Sequence, residues 1–359
     1  MNTNNQKAFL ALVRAGLWAD ANVNLDLNYN FEGVDWMKVY DLAEGQGVTG
    51  LVTAGIDNLN ADVPLEVKLQ FVGSVLQTEQ LNKEMNAFIA ETMERMRQAD
   101  IYTLLVKGQG IAQCYVKPLW RSSGDIDLFL SDTNYEKAKE FFVPLSSGGK
   151  PERQFSKEWG LNIGPWYVEL HGTQRTGLST RVDKVIDDVQ RCVFYEGKAR
   201  SWINGNTQVF LPAADEDVFF VFTHFIKHFY KEGGVSIRQL CDWCRLLWTY
   251  RDSLDCRLLE SRIRKAGLMS EWLGFAAVAV DYLGMPVEAM PLFNENDNLN
   301  ANLKKKARRI LDFILKGGEW HKWKDTIAVG RIYPMNTLKF LPGILLSVTW
   351  LKLQERYFK

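Results

Sequence analysis

The chain reads as an α+β protein, with a small sheet-containing core set between two helical regions. Three observations predict this. Apolar residues recur at helical spacing before residue 99 and again from residue 213 onward. Between them lie short β-rich runs ended by glycine or proline. No internal repeat and no long low-complexity linker breaks the order helical, α/β, helical. The predicted divisions are 1–99, 100–212 and 213–359.

The first region opens with "QKAFLALVRAGL", apolar at helical spacing. "DWMKVYDLAEGQG" repeats the pattern and stops at glycines. A long amphipathic stretch then starts near Pro64 and runs to "ERMRQAD". In the central region "IYTLLVKG" and "GDIDLFL" read as strands, with a short helix, "GIAQCYV", between them. "NYEKAKEFF" is helical, and "WYVELHG" and "TQVFLP" are further strands. The third region begins with two strong helices, "DEDVFFVFTHFIKHFYKEG" and "SIRQLCDWCRLLWTYRD". It continues through "LLESRIRKAG", "SEWLGFAAVAVDYLG" and "ANLKKKARRILDFILKGG".

Composition narrows the function classes. Lys+Arg and Asp+Glu are both 43, so the formal net charge is zero. A nucleic-acid coat or a polybasic membrane binder is usually basic. Zero charge argues against a long nucleic acid as partner, and any basic site must be local. The N-terminus lacks a signal-type apolar run. No stretch reaches the ~18 apolar residues of a membrane span. "FLPGILLSVTWLKL" is too short and contains Pro342. Five scattered cysteines fit a reduced, cytoplasmic setting and not a disulfide framework.

"RSSGDIDLFL" places Asp125 and Asp127 inside an apolar strand. Residues i and i+2 of a strand share a face, at ~3.3 Å rise per residue. The two carboxylates therefore project together, while Ile126 and Leu128 enter the core behind. Side by side they repel, and a divalent cation relieves that conflict. Oxygen ligands of this kind suit Mg²⁺ or Mn²⁺. Gly124 allows close approach to the backbone. Arg121, Ser122 and Ser123 supply a guanidinium and two hydroxyls suited to phosphate oxygens. A third acid, Glu169, lies in the apolar strand "YVELHG".

These residues resemble the nucleotidyltransferases of the DNA polymerase beta-like superfamily. More closely, the chain is similar to a bacterial branch described as uncharacterised nucleotidyltransferases. The matching features are Lys107-Gly108, Arg121, the run Gly124 to Leu128, and Glu169-Leu170-His171. Later helices bring His224, His228, Arg238 and Asp242. The resemblance is specific over residues 102–131, looser over 165–245 and vague elsewhere.

It implies a nucleotidyltransferase-type mixed sheet and a two-metal transfer of a nucleoside monophosphate from an NTP, ATP included, to a hydroxyl. Asp125, Asp127 and Glu169 would be the catalytic, metal-holding carboxylates for two Mg²⁺ or Mn²⁺ ions. Lys107, Gly108, Gln109, Arg121, Ser122, Ser123 and Gly124 would bind the nucleotide. The chain departs from better-known members at Gly108-Gln109-Gly110, where Gly-Ser or Gly-Gly is usual. That departure sustains a second expectation, a non-catalytic nucleotide-sensing or partner-binding module. A metal-dependent hydrolase is a third. The acceptor is open: a sugar or aminoglycoside-like hydroxyl, an RNA end or a protein side chain.

Other motifs carry less. "KGQG" is neither a P-loop nor a dinucleotide fingerprint. "HFIKH" lacks the glutamate of a zinc hydrolase, so His224 and His228 are expected to line the cleft or pack beside it. His171, two residues past Glu169, is the better cleft candidate. Arg238 and Asp242 read as an i, i+4 helix pair. "CDWC" lies mid-helix and reads as core. Lys304 to Arg309 is a basic run on a helix, usually a solvated face and also the one local cluster suited to a nucleic-acid or acidic partner.

Overall fold

The structure, a computed structural model, describes residues 3–21, 29–154, 156–231, 234–316 and 322–357. Four helices come first: α1 Asn4–Leu17, α2 Trp36–Gly45, α3 Thr49–Asn58 and α4 Leu65–Gln98. The centre runs β1 Leu104–Val106, α5 Gly108–Ala112, β2 Asp125–Phe129, α6 Asp132–Phe142, β3 Glu158–Ile163, β4 Trp166–His171, α7 Thr180–Tyr195, β5 Ala199–Asn204 and β6 Thr207–Pro212. Eight helices follow: α8 Ala214–Lys231, α9 Ile237–Tyr250, α10 Cys256–Ala266, α11 Met269–Leu283, α12 Glu295–Leu299, α13 Ala301–Leu315, α14 Lys322–Ile332 and α15 Pro334–Tyr357. The α+β class and the helical flanks agree with the sequence. No described helix is long and apolar enough to cross a membrane.

The main sheet has the order β1-β2-β4-β3. β1 and β2 are antiparallel, β2 and β4 parallel, and β3 and β4 antiparallel. β5 and β6 form a separate antiparallel hairpin. Strand alternation sorts the side chains between two cores. Leu105, Ile126, Leu128, Val168 and Leu170 turn back onto α6 and the second half of α4. Ile126 and Leu128 thus lie behind the aspartates, as the alternation predicts. Leu104, Val106 and Phe129 face the other way, into the larger core built by α1–α5, α7–α11 and α13–α15.

That larger core draws on both helical regions. Phe9, Leu12 and Val13 of α1 share it with Phe222 of α8, Trp243 of α9, and Trp272 and Phe275 of α11, all fully buried. The Trp18 indole N–H donates to Leu283 O at 2.6 Å. Arg245 of α9, also buried, donates to Leu17 O, Cys114 O and both Asp20 oxygens. Cys241 and Cys244 are buried here, and burial pushes both thiols up, so "CDWC" is core.

Several elements go beyond the sequence expectation, among them α3, β3, α7, β5, α12, α14 and α15. α3 contains Gly50 and Gly55, which argue against a helix on propensity alone. The glycines are required by packing: a Cβ at Gly55 would lie 2.0 Å from Leu12 O, where α1 crosses. β3 contains Gly160, whose Cβ would meet the Tyr167 hydroxyl at 1.9 Å. α7 carries Val182, Val185, Ile186, Val189 and Val193 at helical spacing, with Ser179 capping Val182 N–H. The helix after Lys107 is shorter than "GIAQCYV" suggests and ends at Ala112.

Candidate active site

The site stands on the face of the sheet turned toward α8 and α9. In the parallel β2–β4 pair Asp127 lies opposite Glu169, and Asp125 opposite Tyr167. Asp125, Asp127, Glu169 and His171 therefore share one face, and all four line a cavity of about 300 Å³. Asp127 is buried, while Asp125 and Glu169 are partly open. Donor atoms of Asp127, Glu169 and His171 all lie within 4.8 Å of one another and are able to hold a metal ion. His171 thus joins the ligand set that the sequence limited to carboxylates.

Lys107 enters from the end of β1. Its φ is +57°, in the left-handed region, and Gly108 follows at +35°. A non-glycine residue held there costs about 1–3 kcal/mol, and such strain concentrates at functional sites. The turn carries the ammonium to Asp127, with Nζ 2.8 Å from Oδ1. His171 Nε2 lies 2.7 Å from the same oxygen and 3.5 Å from Glu169 Oε2. Oδ2 of Asp127 has no side-chain partner among the described residues. The Asp125 carboxylate accepts no side-chain hydrogen bond and enters no ion pair among them.

Charge sets the protonation states. The Asp127 carboxylate beside it, with burial, pushes Asp125 above its ordinary value, and Lys107 only partly offsets this. Burial alone would raise Asp127, but Lys107 and His171 outweigh it and hold it well below the carboxylate range. Burial would lower Lys107, yet Asp127, Asp125 and Glu169 leave it above the ordinary lysine value. Burial and Lys107 push His171 down, and its bonds to Asp127 and Glu169 more than restore it. The uncompensated group is Asp125, a carboxylate facing a cavity without a counter-ion of its own. The donor atoms that come close enough to share one ion are those of Asp127, Glu169 and His171, two carboxylates and an imidazole that fit a divalent cation, and Asp125 stands outside that group.

The phosphate-side lip divides. Lys107, Gly108 and Arg121 line the cavity, whereas Gln109, Ser122, Ser123 and Gly124 do not. Gln109 is buried and donates to Asn82 Oδ1 at 2.6 Å and Ser123 Oγ at 3.2 Å, so it faces α4. Arg121 is buried too. Its Nε and Nη2 each donate to Asp242 at 2.7 Å, and its Nη1 to Ser122 O and Ser123 Oγ. The Arg238–Asp242 helix pair expected from spacing is therefore replaced. Asp242 holds Arg121 and the Tyr115 hydroxyl, while Arg238 donates from Nη1 to Ser122 O. A bidentate fork is the geometric reason: Arg121 matches both carboxylate oxygens.

His224 and His228 reach the cavity from α8, with their Nε2 atoms 3.0 Å apart. Burial, with Lys107 and His228 nearby, pushes His224 well below the ordinary histidine value. Four further cations line the wall: Lys150, Arg153, Arg175 and Lys227. Sequence reasoning missed them. Each is an unremarkable polar position in its own segment, and only the fold brings them to one wall.

Residues 32–284 match the model of a family described as uncharacterised nucleotidyltransferase. No curated protein and no solved structure matches the chain. The family match covers more than half of the sequence and includes β2 and β4 with their carboxylates, so the chain belongs to this uncharacterised nucleotidyltransferase family.

Proposed function

We propose that the protein is a divalent-metal-dependent nucleotidyltransferase that moves a nucleoside monophosphate from an NTP to a hydroxyl of an acceptor. The observation that carries this is Asp125. An uncompensated carboxylate stands on the same sheet face as Asp127 and Glu169, at the floor of a cation-walled cavity. A single aspartate pair is compatible with mere cation storage. A third acid on the adjacent strand, in register with Asp127, is what a transfer reaction needs.

In this proposal Asp125 and Asp127 hold Mg²⁺ or Mn²⁺, with Glu169 and His171 alongside. Bound there, two such ions would neutralise charge on the attacking and leaving oxygens of an in-line displacement. Lys107 and Arg238 neutralise the triphosphate, and Gly108 lets its backbone approach. Arg121 acts indirectly, holding Ser122, Ser123 and α9 in place. Glu169 accepts the proton of the acceptor hydroxyl.

One observation favours a second reading, nucleotide sensing without turnover: Gln109 faces α4 and leaves the cavity wall. Calorimetry with each NTP and Mg²⁺, on the native chain and on Asp125→Ala with Asp127→Ala, tests nucleotide binding. Incubation with NTPs labelled at the α-phosphate in a cell extract tests transfer. Metal-dependent binding with label appearing on an acceptor is the expected result. Binding without any labelled product selects the sensor, and release of monophosphate without a labelled acceptor selects a hydrolase. No binding to the native chain sinks the proposal.

A further inference from the structure

Cations stand at both ends of the carboxylate row. At the β1 end are Lys107, on Asp127, and Arg238, beside Ser122. At the β3 end the segment 149–153 runs along the edge of β3, with Gly149 bridged to Leu161 and Arg153 to Glu158. It brings Lys150 and Arg153 into the cavity. Arg175 follows β4, and Lys227 projects from α8. With strands ~4.8 Å apart, β1 and β3 are separated by three spacings, about 14 Å.

The β3 end carries more cations than carboxylates among its described lining residues. Glu158 is the single carboxylate among its lining residues, 3.1 Å from Arg153 Nη1 and 3.9 Å from Lys227 Nζ. Arg175 gives Nε and Nη2 to Asp187 and keeps Nη1. Lys150 sits 5.1 Å over the Tyr167 ring and has no carboxylate partner among the described residues. Four converging cations set against two carboxylates, Glu158 and Asp187, repel each other and favour an anion. The triphosphate does not meet that need if it occupies the Lys107 and Arg238 end.

Given the transferase activity proposed above, we infer that the acceptor is itself anionic. The wall of Lys150, Arg153, Arg175 and Lys227 is the subsite for a phosphate group on a small hydroxyl compound. That phosphate, carrying up to two charges, fixes the compound so that its hydroxyl meets Glu169. The acceptor oxygen bonds to the α-phosphorus, and the bond from that phosphorus to the oxygen bridging to the β-phosphorus breaks. Pyrophosphate leaves with the electron pair, and the hydroxyl proton passes to Glu169. The same wall repels cationic acceptors such as amino sugars, which narrows the choice the sequence leaves open.

The test uses the full chain, Mg²⁺ and the four α,β-methylene nucleoside triphosphates, with inorganic phosphate as the probe. Phosphate should bind the analogue-loaded protein. Lys150→Gln with Arg153→Gln should weaken phosphate at least tenfold and leave analogue affinity within twofold, and Lys150→Arg with Arg153→Lys should restore it. Phosphate that is displaced by the analogue assigns the wall to the triphosphate and overturns the inference. Phosphate binding unchanged in the Gln variant overturns it as well. If no analogue binds, the transferase reading itself falls, and with it the acceptor assignment, a result separable because it is read from the analogue alone.

Discussion

At the scale of single residues, Asp125 and Asp127 are two positions apart and have opposite electrostatic relations to the fold. Asp127 is held ionised by Lys107 and His171. Asp125 is pushed toward its neutral form by Asp127. Their substitutions should therefore act in opposite directions on the metal-free protein. Asp125→Asn removes a like charge and should stabilise by about 1 kcal/mol, in the usual range for relieving a strained functional site. Asp127→Asn leaves the part-buried Lys107 and the buried His171 without their shared carboxylate and should cost about 1–3 kcal/mol. Urea denaturation in chelator reads both, and equal signs would refute this account. These aspartates and Glu169 were legible in the sequence because charge inside an apolar strand is conspicuous. Lys150, Arg153, Arg175 and Lys227 were not, since each is ordinary where it stands and acquires meaning only from a wall assembled out of three separate segments.

At the scale of elements, α9 is fixed to the chain ahead of β2 by the Arg121–Asp242 pair, both partners buried. Burial alone would raise the Asp242 carboxyl, but the Arg121 charge and hydrogen bonds bring it below its ordinary value. A carboxyl depressed on folding stabilises the fold above its unfolded value, about 3.9. That contribution disappears as pH falls from there through the folded value. Asp242→Asn should cost about 3–5 kcal/mol at pH 7, because Arg121 is left buried and unpaired. It should also flatten the acid limb of stability below pH 4. Denaturation midpoints from pH 7 down to pH 3 check both, and an unchanged acid limb would show that other carboxyls dominate it. The tie between Arg121 and Asp242 was hidden from the sequence by distance, 121 residues. The nearer Arg238 offered the more obvious partner. α3 and β3 were obscured for the opposite reason: the glycines that weaken their propensity are what their tight packing demands.

At the scale of the whole molecule, the helices before and after the sheet share one core. The family match begins at residue 32, yet α1 lies before it and is among the most buried elements. A chain starting at residue 32 loses Phe9, Leu12, Val13 and Trp18 from that core. Deleting one large buried side chain costs about 2–5 kcal/mol. Losing four, about 8–20 kcal/mol together, is comparable with the whole 5–15 kcal/mol of a typical fold. The shortened chain should lack a cooperative urea transition by circular dichroism, and a normal transition would show that α1 is dispensable. The helical–α/β–helical order was readable from periodicity. Sharing of a core between first and last regions was not, because periodicity reports which face of a helix is apolar and not what covers it.

The bond from Trp18 to Leu283 O joins residues 265 positions apart. A ribosome adding roughly 5–20 residues per second needs about 13–50 s to make the second partner after the first. α1 can settle on α3 early, since both emerge within the first sixty residues. The side it later turns to α11 must wait, its apolar surface open to solvent. Birth of this protein on the ribosome therefore includes an interval in which its first helix is made but unsheltered, and during that interval it is a client for whatever in the cell shields nascent hydrophobic surface.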